Sequence, residues 1–272
     1  MKKYKYLVTG HKGFIGSHLF ESLVGPKLGI DLKDGQDVID CLPDDIEVDT
    51  VFHLAALPRV EYSVENPCYT LKHNVYATSV LLNWCRSHGV KRFVFSSSAA
   101  TTGDGQGPTS PYGLHKLMSE MECKLYSQLY GLDTVCLRYF NVYSEDQPFG
   151  GSYSTVISAW MEMIRQDRPL RIDGDGEQTR DYIHVDDVVS ANLFCASHNK
   201  NFNGAVYDVG SGDVVSLNNI KEFVNENLKV SWDYAPVRPG DVRHTEADTS
   251  KLRKLGWTAK IEILEGLTKC FK

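Results

Sequence analysis

Val8-Thr-Gly-His-Lys-Gly-Phe-Ile-Gly16 decides the reading of this chain. The stretch before it, Tyr4–Thr9, reads as a strand, and Phe14–Leu23 reads as a helix that follows directly. Gly10, Gly13 and Gly16 punctuate the junction as G-x-x-G-x-x-G. Glycine permits the tight turn and a close backbone approach. The helix N-terminus then presents free N–H groups and the positive end of its dipole to a pyrophosphate. A lone glycine triplet is more often an ordinary turn, but between a strand and a helix it predicts a dinucleotide site. Asp31 stands 21 residues after Gly10, at the end of a second strand over Lys27–Asp31. A carboxylate there accepts from the adenosine ribose and repels a 2′-phosphate, so NAD is favoured over NADP. Asp40 is a second acidic candidate, for the adenine amino group.

Working outward, Val51–Leu54, Arg92–Ser96 and Asp133–Arg138 read as further strands, with a short Val38–Asp40 strand between loops at Gly35 and Pro43. Amphipathic stretches at about Thr70–Ser87 and Tyr112–Tyr130 read as helices. This alternation predicts an α/β fold, a Rossmann-type doubly wound parallel sheet with a smaller C-terminal substrate-binding lobe. The spacing from Asp31 to His53 is tight and a full βαβ unit barely fits, so the intervening helix is expected to be missing or reduced to a turn. Beyond Asn141 the pattern predicts helices over Val156–Gln166, Val185–Ala196, Leu217–Asn227 and Ile263–Phe271, and a strand over Ala205–Val209. The expected division is an NAD-binding domain over 1–150 and a mainly substrate-binding lobe over 151–272, with 180–200 returning to the first.

Of 272 residues, 42% are hydrophobic and 24% charged, an ordinary globular balance. The net charge of −6 argues against a nucleic-acid binder, so an anionic ligand must be caught by local arginines. Seven scattered cysteines, an odd number without a C-x-x-C pair, suit reduced thiols and a cytoplasmic setting. No apolar run approaches membrane length. No metal is expected at the site.

Tyr112-Gly-Leu-His-Lys116 places a phenol and an ammonium one helical turn apart, on one face. A tyrosine titrates near pH ~10. A nearby lysine and a positive nicotinamide ring favour the phenolate and make Tyr112 a general acid/base, with Lys116 within reach of the nicotinamide ribose. Alone, Y-x-x-x-K is usually the start of an amphipathic helix, here with Pro111 ahead of it. Ser96-Ser-Ser98 shifts the balance, because a hydroxyl at the end of the Arg92–Ser96 strand lies at the ligand edge of the sheet.

At this point the chain resembles the extended short-chain dehydrogenase/reductase superfamily, specifically its nucleotide-sugar epimerases and dehydratases. The matching segments are TGHKGFIG (9–16), HLAA (53–56), FSSSA (95–99), SPYGLHK (110–116), RYFNVY (138–143), RDYIHVDD (180–187) and RPGDVRH (238–244). The resemblance implies a catalytic triad of Ser98, Tyr112 and Lys116. It implies NAD contacts at Gly10, Gly13, Phe14, Ile15, Gly16, Asp31, Asp40, Leu54, Ala55, Ala56, Asn74, Ser96 and Phe140, besides Tyr112 and Lys116. Two segments depart from the family: the connection after Asp31, and Thr101–Thr109, since only 13 residues separate Ser98 from Tyr112.

Related dehydratases carry an Asp-Glu pair just after the strand hydroxyl, and decarboxylases a glutamate near that point. Here the positions hold Ala99-Ala100-Thr101. The resemblance then implies 4-epimerisation of a UDP-hexose. Other nucleotide-sugar chemistry (uronate epimerase, dehydratase, reductase) and a non-catalytic NAD sensor are the alternatives. Arg180 and Arg238 match phosphate-binding arginines, whose guanidinium suits bidentate contacts. Asn141 and Asp241 match diphosphate and ribose contacts, and Val156 a pocket position. Arg59 is a candidate for the sugar, although a solvated loop arginine is the better reading of it. Thr245, small where a bulky tyrosine would restrict the 2-substituent, implies room for an N-acetyl group, hence UDP-GlcNAc and UDP-GalNAc as well as UDP-glucose and UDP-galactose. The resemblance also implies a homodimer through a four-helix bundle, with Leu81, Leu82, Trp84, Leu117, Met121 and Leu125 as a candidate seam.

Overall fold

The first strand explains the architecture. In β1 (Lys2–Thr9) the consecutive residues Leu7 and Val8 are both fully buried, so both faces of the strand are covered, as in a parallel sheet between two helical layers. The computed structural model describes residues 1–103, 105–150, 155–237 and 242–272. After β1 come α1 (Phe14–Ser22), β2 (Lys27–Ile30), β3 (Ile46–His53), α2 (Val60–Glu65), α3 (Pro67–Leu71), α4 (Ala77–Ser87) and β4 (Arg92–Ser98). Then follow α5 (Pro111–Tyr130), β5 (Asp133–Tyr139), β6 (Asn141–Tyr143), α6 (Val156–Arg165), β7 (Leu170–Asp173), β8 (Thr179–His184) and α7 (Val185–Ser197). The chain ends with β9 (Ala205–Val209), β10 (Val214–Ser216), α8 (Leu217–Asn227), β11 (Trp232–Ala235), β12 (His244–Thr245), α9 (Ser250–Leu255) and α10 (Ile263–Phe271).

The main sheet is six-stranded and parallel, in the order β2-β1-β3-β4-β5-β9. The order reverses between β1 and β3, and such a switch point opens a ligand crevice at the carboxyl ends of the strands. Leu81, Leu82 and Cys85 of α4 and Cys123 of α5 cover one face, while Leu19 of α1 and Val188 and Ala191 of α7 cover the other. Ala205–Val209, expected in the lobe, is thus the outer strand of the main sheet.

The connection from β2 to β3 contains a 3-10 turn at Leu32–Asp34 and no α-helix. The strand expected at Val38–Asp40 is a turn. Asp31 and Asp37 accept the amides of Lys33 and Ile39 two residues on, and such side-chain turns curl the backbone away from an extended path. The candidate dimer seam also needs correction. Leu81 and Leu82 are fully buried and Trp84 nearly so, all facing their own sheet, whereas Met121 is 65% and Leu125 48% exposed.

A second core gathers Ile157 and Trp160 of α6, Leu170 and Ile172 of β7, Ile220 of α8 and Phe271 of α10. Here β8 pairs with β6, β10 and β12, and β7 with β11. The chain crosses between the sheets at Phe140, whose amide donates to Val209 at 3.1 Å before β6 begins. That crossing puts Asn141 beside the carboxyl edge of the main sheet.

Candidate active site

The glycine turn permits no side chain at two places. A Cβ on Gly10, which has φ of +74°, would stand 2.7 Å from the Ala55 amide nitrogen, and one on Gly16 would stand 2.0 Å from the Gly10 carbonyl. The turn therefore packs against Leu54 and Ala55 after β3 and against the start of α1. Gly13 caps α1 without any side-chain hydrogen bond, and Phe14 and Ile15 begin the first turn of the helix. This is the cradle a pyrophosphate requires.

Asp31 stands at the end of β2, nearly buried, and accepts the Lys12 amide on Oδ2 and the Lys33 amide on Oδ1, each at 2.8 Å. Each oxygen retains a lone pair for a ribose hydroxyl. Asp40 is exposed and lies off this cleft; the acid lining it beside Asp31, Ala55 and Ala56 is Asp37. The turn at 38–40 rotates Asp40 away, which the expectation of a strand there concealed. Asn74 lies in a π-helical turn, Lys72–Tyr76, that joins α3 to α4. Its amide grips both backbone groups of Leu57, accepting at 2.7 Å and donating at 3.1 Å, so it shapes the Leu54–Leu57 wall of the cleft. Phe140 is buried at the crossing between sheets.

The three triad candidates meet at the end of β4. The Ser98 hydroxyl caps a 3-10 turn over Ala99–Thr101, accepting the Ala100 amide at 3.2 Å. Ser110 caps α5, and Pro111 occupies its first turn. A Cβ on Gly113 would stand 2.3 Å from the Ala100 carbonyl, so glycine lets α5 lie directly on that turn. This close approach is how the short connection still delivers Tyr112 to the neighbourhood of Ser98, whose hydroxyl lowers the phenol's pKa. The Tyr112 amide donates to Ser63 of α2 at 3.0 Å. Lys116 is buried, donates from Nζ to the Ser96 carbonyl at 2.6 Å, and lies over the Phe95 ring at 4.7 Å. The Ser96 hydroxyl is taken by the Tyr139 phenol at 2.9 Å.

Burial pulls the Lys116 ammonium down to about 8, and burial pushes the Tyr112 phenol up to about 12, with only the Ser98 hydrogen bond acting the other way. The sequence leads one to expect a phenol drawn toward neutrality. In the protein alone, desolvation dominates the phenol, and the lysine ammonium is directed at the Ser96 carbonyl.

On the lobe side, Asn141 donates from Nδ2 to the Asp181 carbonyl at 2.9 Å. Arg180 sits on β8 and donates to the Thr179 carbonyl at 2.9 Å. Thr245 pairs with it across β12, and its buried Oγ1 has no hydrogen-bond partner among the described residues. Val156 opens α6, half-buried. Arg59 is exposed and donates to Gly150 at 3.3 Å. Arg238 and Asp241 lie outside the described residues. Asp181, not anticipated, organises this side. Fully buried, its carboxylate accepts Ser211 N and Oγ, Gly212 N and Ala247 N, tying the β9–β10 loop to the segment after β12.

Residues 6–210 match the NAD dependent epimerase/dehydratase family. A putative UDP-glucose 4-epimerase of Methanocaldococcus jannaschii is 33% identical over 97% of this chain and 96% of its own length. Two solved structures superpose closely. UDP-N-acetylglucosamine 4-epimerase from Methanobrevibacter ruminantium, in complex with UDP-N-acetylmuramic acid, has a TM-score of 0.87 and 30% identity, covering 100% of this chain and 98% of that one. UDP-glucuronic acid 4-epimerase from Bacillus cereus, in complex with UDP-glucuronic acid and NAD, has a TM-score of 0.86 and 28% identity, covering 98% of each. With the glycine cradle, the acid after β2 and the serine, tyrosine and lysine in place, the chain belongs to the NAD dependent epimerase/dehydratase family.

Proposed function

We propose that this protein is a UDP-hexose 4-epimerase that works through a 4-keto sugar and accepts UDP-GlcNAc and UDP-GalNAc alongside UDP-glucose and UDP-galactose. The observation that carries the reading is the end of β4. Ser98, Tyr112 and Lys116 converge there, while the turn after Ser98 holds Ala99, Ala100 and Thr101 and offers no carboxylate for elimination or decarboxylation. Glu120, a buried acid on the same helix, is committed to Ser97 and Arg138.

NAD, when bound, supplies the acceptor for hydride from C4, the donor for its return, and positive charge beside the phenol. Tyr112 takes the proton of the C4 hydroxyl. Ser98 hydrogen-bonds the same oxygen, and Lys116 holds a cation behind it. The resulting ketone turns to present its other face, and Tyr112 returns the proton to oxygen. Arg180 and Asn141, with Arg238 and Asp241, are assigned to the diphosphate and nucleotide ribose. Thr245, small and with an unpaired hydroxyl, is assigned to the space beside the 2-substituent. Uronate 4-epimerisation is the second reading, supported by the likeness to the Bacillus cereus enzyme.

Proton NMR of UDP-GlcNAc, UDP-glucose and UDP-glucuronate, each incubated with the purified protein without added nicotinamide, tests this. The C4 epimer of either hexose supports the proposal, and the C4 epimer of UDP-glucuronate alone moves it to the uronate. Accumulating 4-keto-6-deoxy sugar, or no reaction of any of the three, overturns it.

The same reading includes a homodimer through the outer face of α5, where Met121, Leu125 and Leu129 are exposed in one stripe. Sedimentation should give a dimer that Met121→Glu dissociates; a wild-type monomer at micromolar concentration would refute it.

A further inference from the structure

One helical turn beyond Lys116, on the same face of α5, lies Glu120, 4% exposed. It accepts both arms of the Arg138 guanidinium, at 2.8 and 2.7 Å, and the Ser97 hydroxyl at 2.5 Å. Ser97, Arg138 and Asp208 are consecutive partners across β4, β5 and β9, so they form a polar row under α5 where the sheet is otherwise apolar. Every donor in this set suits a carboxylate. Ser97 is also the residue between Ser96, whose carbonyl holds the Lys116 ammonium, and Ser98, whose hydroxyl lowers the phenol's pKa.

The other groups that bear on Lys116 leave Glu120 with a distinct part. His53 of β3 is buried, bonded to Thr9 and Thr78, and held neutral by burial, with a pKa of about 3. Cys123 of α5 is kept a thiol by burial, with Cys136 of β5 pushing the same way. Tyr112 is a buried phenol. Burial lowers Lys116, and Cys123, Glu120 and Cys136 act against it; of these three, Glu120 is the carboxylate. Beyond it Arg138 faces Asp208, which keeps that guanidinium from being a lone buried cation beside the lysine.

We propose that Glu120 is a positioning residue for Lys116: anchored by Arg138 and Ser97, its carboxylate keeps the Lys116 ammonium charged against burial and fixes the end of β4 that carries Ser96 and Ser98. The proposal rests on the triad assignment. A lysine that must stay protonated gives activity that falls as pH rises through its pKa, near 8 here. Removing the carboxylate moves that fall to lower pH.

The test is the pH profile of kcat/KM for wild type, Glu120→Gln, Glu120→Asp and Ser97→Ala, read beside acetic anhydride labelling of Lys116 by peptide mass in the same holoenzymes. Glu120→Gln should lower the alkaline midpoint by roughly one pH unit, about a tenfold loss of kcat/KM above both midpoints, and should make Lys116 acylate at lower pH. Ser97→Ala and Glu120→Asp, which keep the charge, should lower kcat and leave the midpoint in place. A Glu120→Gln profile reduced evenly at every pH means a merely structural role and overturns the proposal. If Glu120→Gln does not fold, a midpoint displaced in Glu120→Asp overturns it equally. Labelling needs no sugar, so an error in the sugar assignment leaves this arm intact.

Discussion

The two sides of the crevice are built differently. Ser98, Tyr112 and Lys116 stand on a seven-residue central strand and a twenty-residue helix, each with a fixed partner. Asn141, Arg180 and Thr245 stand on strands of three, six and two residues, drawn from segments about a hundred residues apart and tied through Asp181. The first side has its geometry set by the main core. The second is assembled from short strands of the lobe that are joined through loops outside that core. Under the proposed function, chemistry belongs to the first side and the choice of sugar to the second.

That contrast breaks if substitutions on the two sides behave alike. The largest effect is expected for Tyr112→Phe. It keeps the buried ring and removes the acid/base, so turnover should fall on every sugar by about three orders of magnitude or more, with an unchanged melting temperature. A loss confined to one sugar would mean that the phenol is not the proton carrier. A smaller, selective effect is expected for Thr245→Tyr, which fills the space beside Arg180. Turnover of UDP-GlcNAc should fall about tenfold or more relative to UDP-glucose, as steric rejection in a pocket allows. Equal loss on both sugars would remove Thr245 as a determinant. Smaller still in absolute rate near neutral pH, the Glu120 variants sharpen the first half of the comparison by separating charge from fixation at Lys116.

The cofactor half was legible because its signals are local. Gly10, Gly13 and Gly16 satisfy a turn within seven residues, and the tyrosine and lysine meet through one helical turn. The absence of a helix after β2 was legible from chain length alone. What the sequence concealed was the path of short polar segments. Asp37 rather than Asp40 faces the cleft because carboxylate-to-amide bonds curl residues 31–40, and no periodicity reports such bonds. Leu81, Leu82 and Trp84 belong to the core and not to an outer seam, because helical spacing marks an apolar face without saying what covers it.

Local pattern was enough for the strand, turn and helix at the N-terminus, for the alternation that builds a parallel sheet, and for naming Ser98, Tyr112 and Lys116 as triad candidates. These depend on backbone sterics and hydrophobic period, which act between near neighbours. Long-range packing set α5 on the turn after Ser98 through Gly113 and brought Glu120 to Ser97 and Arg138. It also buries Tyr112 and Lys116, so that desolvation dominates the shift of each. Those outcomes depend on contacts between distant segments and on water removed by the whole fold, and no local pattern encodes either.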